Sequence, residues 1–588
     1  MTDRLDIALA QINPTVGDLK ANAERIRAAR RAAAAEGADL VLTTELSISG
    51  YPPEDLVLKP AFVAACRAAV EALAEETADG GPGVIVGAPW RAEDGADADG
   101  AAAGGDAGAR ARPFNAAILL DGGEVRTWRA KYDLPNYGVF DEKRVFQAGP
   151  LPGPINFRGV RLGVMVCEDM WTAEVAECLE ESGAEILLVP NGSPYDSDKL
   201  DERLQLALAR VTETGLPLAY VNQVGGQDEL VFDGGSFVVN ADCGLAAQLA
   251  MFEEGLVVTR WSRGGDGNDS GDGWRCADAL RVAPDEGAEA IYRALVLGLR
   301  DYVEKNGFPG VVLGLSGGID SALSAAVAAD ALGAARVRAL MMPSPYTSRE
   351  SLEDAAESAA LIGIALDQVG IEPAMAAFEA MLKPLFDGLT PDTAPEAAPE
   401  AVSDTTWENV QARARGLTLM AVSNKLGHMV LSTGNKSEMS VGYATLYGDM
   451  CGGFNVLKDV YKTTVYALSR WRNQAHPKGA LGPTGRVIPE RVLTKAPTAE
   501  LRPDQCDQDS LPPYDVLDGI LEGLIERDLA VAEIAALGYE TATVKRVWRM
   551  LENAEYKRRQ APPGVKITDR AFGRDRRYPI TNAFKGPA

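Results

Sequence analysis

Cys167 closes the apolar run LGVMVC and is followed by EDMW, a pattern that places a thiol at a strand terminus, where it can face a cleft. Two other segments carry the groups such a thiol needs. TTELSISGYPPEDL puts Glu45 just after the strand-like DLVLTT, and RAKYDLPNYGVFDE puts Lys131 after another strand. A carboxylate to take the thiol proton, a sulfur to attack a carbonyl and an ammonium to stabilise the oxyanion are what amide hydrolysis needs without histidine. The chain has only two histidines, His428 and His476, and the run LGHMVLST makes His428 a core residue. Glu168, beside the thiol, reads either as a pocket residue or as a local structural acid.

A second chemistry lies farther along. The strand GVVLGL feeds SGGIDSALSAAVAADAL, residues 316–332. A strand, turn and helix in this order aim several backbone N–H groups and the positive helix end at one point, which makes an anion site. Gly317 and Gly318 leave room for phosphate oxygens to approach the backbone. The GxxxxGK pattern of the other common phosphate loop is absent, and Asp320 stands where a lysine would. A carboxylate beside phosphates is expected if Mg²⁺ bridges them.

Alternating elements must position these residues. In the first half the candidate strands are DIALAQI, DLVLTTE, VIVGAP, AAILL, RLGVMVC, EILLVP and PLAYVNQV, with helices over 19–36, stopping before Gly37, and over 197–214. The second half runs helix 285–305, strand GVVLGL, helix 320–332, strand RVRALMM and helix 348–362, the repetition expected of a doubly wound parallel sheet. Both halves are therefore α/β. Three biased stretches interrupt them: an Ala/Gly/Asp-rich surface insertion at 91–113, a Gly/Asp run at 263–273, and a Pro/Ala/acid loop at 387–405. The expected organisation is a domain over 1–262, a linker over 263–284 and a domain over 285–588.

With 588 residues, 46% hydrophobic and 24% charged, the chain has the composition of a multi-core globular protein and not of a disordered one. It lacks any run of about 18 apolar residues that could span a membrane. Its first residues, MTDRLDIALAQINPTVGD, do not read as a signal peptide, so a cytoplasmic location is expected. The 58 Lys+Arg against 84 Asp+Glu give a formal charge of −26, which repels nucleic-acid phosphates. Seven cysteines without a CxxC pair argue for a reducing compartment and against a zinc or disulfide framework.

SGGIDS resembles the pyrophosphate loop of the N-type ATP pyrophosphatases, which implies AMP and PPi as products. Beyond it, LSTGNKSEMSVGYATLYGD, WENVQARARG, KDVYKT, KAPTAEL and EYKRRQAPPGVKITDRAFGRDRRYPI are similar to the NAD synthetase family along nearly the whole second half. That resemblance implies an adenine nucleotide alpha hydrolase-like fold. Carried over position by position, it gives ATP the stretch Gly314, Leu315, Ser316, Gly317, Gly318, Ile319, Asp320 and Ser321, with Thr433, Lys462 and Thr498. It gives Mg²⁺ Asp320 and Glu438, and it gives the deamido-NAD⁺ substrate Asn409, Glu438 and Lys557. For Arg558, Arg559, Arg574, Arg576 and Arg577, a solvated surface or a subunit contact stands beside dinucleotide binding.

The segments around Glu45, Lys131 and Cys167 resemble the nitrilase, or carbon–nitrogen hydrolase, superfamily over about residues 5–260, matching its Glu–Lys–Cys triad in order and local context. This implies a nitrilase-like αββα sandwich, two sheets with helices on both outer faces. In the glutaminase branch of that superfamily, the matching positions Tyr137, Ser193 and Lys199 would hold glutamine. Joined, the halves resemble the glutamine-dependent NAD⁺ synthetases. The resemblance implies that ammonia from glutamine is fixed onto the adenylated carboxylate of deamido-NAD⁺, with ATP as co-substrate, in a homo-oligomer without nucleic-acid or membrane partners. A protected ammonia passage is expected, although no residue pattern traces it. Another glutamine-dependent amidotransferase with this loop, of GMP or asparagine synthetase type, is the alternative; it would share only SGGIDS and use a different glutaminase. A tRNA-modifying adenylase is disfavoured by the acidic charge, and a non-catalytic scaffold by the complete triad.

Overall fold

The computed structural model describes residues 3–91, 112–197, 199–264, 273–387, 405–503 and 505–584. Most of the stretches expected as insertions, 91–113 and 387–405, lies outside the described residues. The chain divides into two compact units, Met1–Asp285 and Glu286–Ala588.

The first unit holds two sheets. One has seven strands in the spatial order Trp274–Cys276, Gly255–Arg263, Arg4–Gln11, Leu40–Leu42, Gly83–Trp90, Phe114–Asp121 and Glu124–Ala130. The other has six: Leu245–Gln248, Phe237–Val239, Leu218–Asn222, Ile186–Asn191, Val160–Val164 and Ile155–Phe157. The central strands of each run parallel and are buried on both faces, which is why they read as unbroken apolar runs. Successive side chains point to opposite faces. Thus Leu40 and Leu42 pack with Leu162, Val164 and Leu188 between the sheets, while Val41 meets Ile26 and Val70 of the helices Leu19–Ala35 and Pro60–Glu76. On the second sheet's outer face, Leu187 and Val189 meet Leu179 and Val211 of the helices Ala173–Glu181 and Lys199–Thr214. The result is a sandwich of two sheets between helical layers.

Helix ends follow local chemistry. The Asp18 side chain accepts from the Ala21 N–H at 3.0 Å, and past the last turn Gly37 adopts φ +78°, a left-handed geometry that glycine takes without penalty. The structure departs from expectation at the span 263–284. Residues 265–272 lie outside the described residues, but Trp274–Cys276 is an edge strand paired to Gly255–Arg263, with Trp274 and Cys276 buried between the sheets. A Trp and a Cys buried in this way belong to the core and not to a connector.

The second unit has five parallel strands in the order Ala365–Gln368, Val337–Met341, Val311–Gly314, Met429–Ser432 and Phe454–Asn455. The chain winds outward in both directions from Val311–Gly314, so the crevice at that strand's carboxyl end is the topological switch point, where ligands of such sheets bind. Helix Ile319–Leu332 starts there and is buried on almost every side. A separate apolar cluster joins the helices Tyr514–Ile525 and Thr541–Asn553 through Leu517, Ile520, Val544 and Leu551. Among the described residues, no helix is long and apolar enough to cross a membrane. His428 is half-buried just before strand Met429–Ser432 and is not a core residue.

Two candidate active sites

Strand Val160–Val164 ends before the thiol, and Cys167 opens a short 3₁₀ turn, Cys167–Met170, with φ +48°. A non-glycine residue in that region costs on the order of 1–3 kcal/mol, so something must hold it. The Asp169 carboxylate does: it accepts from the Val166, Tyr132 and Asp133 N–H groups at 2.9, 3.0 and 2.8 Å. One buried side chain thereby ties the Cys167 turn to the segment carrying Lys131.

Glu45, Lys131 and Cys167 are 1%, 0% and 2% exposed. Lys131 Nζ donates to Glu45 Oε1 at 2.8 Å and to Glu142 Oε1 at 2.9 Å. Burial pulls the pKa of this amine down; Glu142 and Glu45 outweigh it and hold the ammonium well above its ordinary range. Glu45 Oε1 also accepts from Asn115 Nδ2 at 2.7 Å, and Oε2 from the Gly192 N–H at 3.0 Å. Burial pushes the Cys167 thiol well up, Glu45 adds to the shift and Lys131 opposes it. The resting sulfur is therefore protonated and needs a base beside it. Glu142, Asn115 and Asp169 escaped the sequence reading. Glu142 ends the very segment that carries Lys131, yet an acid after a loop reads as an ordinary surface charge.

The residues matched to glutamine lie around this centre. Tyr137 is exposed, and its hydroxyl donates to Glu168, the residue after Cys167, at 2.9 Å. Lys199 sits 4.3 Å above the ring of Trp171, the residue directly after the Cys167–Met170 turn, and pairs with Glu202 at 2.8 Å. Ser193 is buried, and its hydroxyl accepts from Arg203 Nε at 3.1 Å.

In the second unit, a cavity of 290 Å³ opens at the switch point. Its wall includes every residue of the stretch Gly314–Ser321 together with Thr433, Glu438, Lys462 and Thr498. Gly317 has φ +83°, and a Cβ there would stand 2.3 Å from the Ser351 carbonyl oxygen, so only glycine fits. Lys462 Nζ bridges Asp320 Oδ2 at 2.5 Å and Glu438 Oε1 at 3.1 Å. Burial pushes the Glu438 carboxyl up to about 7, with Lys462 pulling the other way. Asn435 fixes the pair from below: its Nδ2 donates to Asp320 Oδ1 at 2.9 Å, and its Oδ1 caps the Glu438 N–H at 2.9 Å.

Asn409 and Lys557 are not part of that wall. Lys557 Nζ donates to the Gly442 and Ala444 carbonyls, both at 2.7 Å, and Asn409 Oδ1 accepts from Thr445 Oγ1 at 3.0 Å. Both residues hold one segment, 442–445, of which Tyr443 and Ala444 do line the cavity. In the basic stretch, Arg558 and Arg576 are buried and paired with Glu555 and Glu552, so these two are structural and not solvated.

The two halves each define a class. The carbon–nitrogen hydrolase family model matches residues 6–264, and the NAD synthase family model matches residues 291–561. The "Glutamine-dependent NAD(+) synthetase" of Rhodobacter capsulatus is 50% identical over 585 residues, covering 100% of both chains. That of Xylella fastidiosa (strain 9a5c) is 43% identical over 591 residues, again covering 100% of both. The solved glutamine-dependent NAD⁺ synthetase from Acinetobacter baumannii, in complex with ADP, is 42% identical with a TM-score of 0.73, covering 98% of this chain and 99% of that one. The chain belongs to the glutamine-dependent NAD⁺ synthetase family, ATP-using ligases that form an amide bond.

Proposed function

We propose that Cys167, Glu45 and Lys131 release ammonia from glutamine and that the second unit fixes it onto the carboxylate of deamido-NAD⁺. Glu45 Oε2 accepts one N–H and keeps a lone pair for the Cys167 proton. The sulfur attacks the carboxamide carbon, and the Lys131 ammonium stabilises the oxyanion. As the intermediate collapses and the C–N bond breaks, Glu45 returns the proton to the leaving nitrogen, so that neutral ammonia departs and a Cys167 thioester remains. Glu45 then deprotonates a water that opens the thioester, giving glutamate and the free thiol. Tyr137, Ser193 and Lys199 would orient the amino acid, with Lys199 at its carboxylate.

In the second unit, the loop Ser316–Gly318, Thr433 and Thr498 would take the ATP phosphates, and Lys462 would balance their charge. The substrate carboxylate attacks the α-phosphorus, PPi leaves, ammonia attacks the resulting acyl adenylate, and NAD⁺ and AMP depart. Asp320 and Glu438, hard oxygen donors facing one cation, fit Mg²⁺, which binds through one or two carboxylates plus substrate phosphates. That ion would neutralise charge on the departing pyrophosphate. Glu438 would hold the dinucleotide directly, and Asn409 and Lys557 would do so through the 442–445 segment they brace. The seven cysteines, none in a disulfide, support a cytoplasmic setting; assembly into a homo-oligomer follows the family.

The observation that carries this reading is the buried Glu45–Lys131 pair around a positive-φ cysteine, in a chain that also builds a glycine loop at a parallel-sheet switch point. The experiment supplies ATP, Mg²⁺, deamido-NAD⁺ and either glutamine or ammonium to wild type and to Cys167→Ala. The variant is expected to lose glutamine-driven NAD⁺ formation and keep the ammonium-driven reaction. Loss of both in a folded chain would overturn separable sites, and ADP as the nucleotide product would overturn the adenylation.

A further inference from the structure

We infer that Arg203 is a positioning residue of the glutaminase site, locking the Gly192–Pro194 turn through which it orients both the base Glu45 and the Ser193 hydroxyl. The inference rests on the glutaminase reading above and extends it to a residue that touches neither substrate nor sulfur.

Arg203 lies in helix Lys199–Thr214 and is 1% exposed. All of its donor positions are used, and all on two targets. Nη1 makes a fork with both oxygens of buried Asp233, at 2.8 and 2.8 Å. Nε donates to Ser193 Oγ at 3.1 Å, and Nη2 to the Ser193 and Pro194 carbonyls at 2.9 and 2.7 Å. Asn222 closes the set: its Oδ1 accepts from the Ser193 N–H at 2.9 Å, and its Nδ2 donates to the Ser193 carbonyl at 3.1 Å.

The held turn is in direct contact with the base. The Gly192 N–H donates to Glu45 Oε2 at 3.0 Å, and a Cβ at Gly192 would stand only 3.2 Å from that oxygen. Movement of the turn therefore moves the proton acceptor, and it moves the Ser193 hydroxyl with it. A buried ion pair is weak evidence of a stabilising role, because desolvation offsets its attraction. What the guanidinium supplies that an apolar pair could not is direction: a rigid planar fork that fixes three acceptors on one turn relative to Asp233. Lysine keeps the charge beside Asp233 but cannot make that fork.

Arg203→Lys, Ser193→Ala and Cys167→Ala are compared for glutamine hydrolysis and for ammonium-driven NAD⁺ formation. A misplacement of about 1 Å at a reacting group costs about 10²-fold, so Arg203→Lys is expected to lower kcat/KM for glutamine by about that factor, with kcat falling as well as KM rising. Ser193→Ala, which takes away one acceptor of Arg203 but keeps the two carbonyls of the turn, is expected to raise KM with a smaller fall in kcat than Arg203→Lys shows. The ammonium-driven rate of Arg203→Lys should match wild type, which shows that the chain is assembled. If Arg203→Lys lowers only the unfolding temperature, or raises KM alone, the inference is overturned. If instead Cys167→Ala still hydrolyses glutamine, the glutaminase reading itself has failed. Should Arg203→Lys not fold, Asp233→Asn keeps the volume while loosening the anchor; the same joint change in kcat and KM supports the inference, and unchanged kinetics overturn it.

Discussion

Lys131 has two carboxylates where one would pair it, and the surplus decides its protonation. Burial of an amine lowers its pKa; with Glu142 Oε1 at 2.9 Å and Glu45 Oε1 at 2.8 Å the balance reverses, and the ammonium persists. Glu142 is itself braced by the Tyr51 hydroxyl at 2.8 Å. Glu142→Gln keeps the shape and removes the largest electrostatic support. The folded-state pKa of Lys131 then drops toward the value burial would give, so the ammonium is lost as pH rises through a lower point than in wild type. The alkaline limb of glutamine hydrolysis is expected to move to lower pH, with a fall of roughly 10²-fold at its optimum, of the size seen when one oxyanion donor is lost. A pH profile of kcat/KM for glutamine checks this; an unmoved alkaline limb would show that Glu142 does not set the charge.

At the scale of elements, the central parts of the fold are legible because their causes are local. Asp18 and Gly37 bracket the first helix, doubly buried parallel strands read as apolar runs, and SGGIDS announces its own turn. Elsewhere the cause is tertiary. LGVMVC reads as strand through its cysteine, yet the strand stops at Val164, because a positive φ at Cys167 is imposed by Asp169 reaching the backbone of residues 132 and 133. Trp274–Cys276 is too short to announce itself between polar stretches, and its partner strand fixes it. Glu45, Lys131 and Cys167 are legible by type and context, whereas Arg203 and Glu142 act through pairings that no local pattern encodes. The Asp169 lock is directly testable. In Asp169→Asn, one acceptor oxygen becomes an N–H₂ facing backbone donors, leaving a buried N–H unsatisfied at about 1–3 kcal/mol. The unfolding temperature should fall, and kcat for glutamine should fall with it. A destabilised variant with unchanged kcat would mean that the turn keeps its φ without Asp169.

At the scale of the whole molecule, two chemistries occupy separate compact units with separate cores, so damage in either is expected to be read out independently. Cys167→Ala makes the cut in the first unit, and Gly317→Ala makes it in the second. At Gly317 the left-handed φ already disfavours a side chain by roughly 1–2 kcal/mol. The added methyl would also press on a backbone carbonyl, that of Ser351, which cannot rotate away as a side chain could. Relief must come from the loop, and the loop is the proposed anion site, so the strain goes into misplacing the N–H groups that would face the phosphates. NAD⁺ formation should then drop sharply with glutamine and ammonium alike, while hydrolysis of glutamine to glutamate continues. The two cuts are mirror images: one variant keeps the ammonium-driven synthesis and loses hydrolysis, the other keeps hydrolysis and loses synthesis. If Gly317→Ala abolished glutamine hydrolysis in a folded chain, the second site would be controlling the first, and the two units could no longer be treated as independent catalysts.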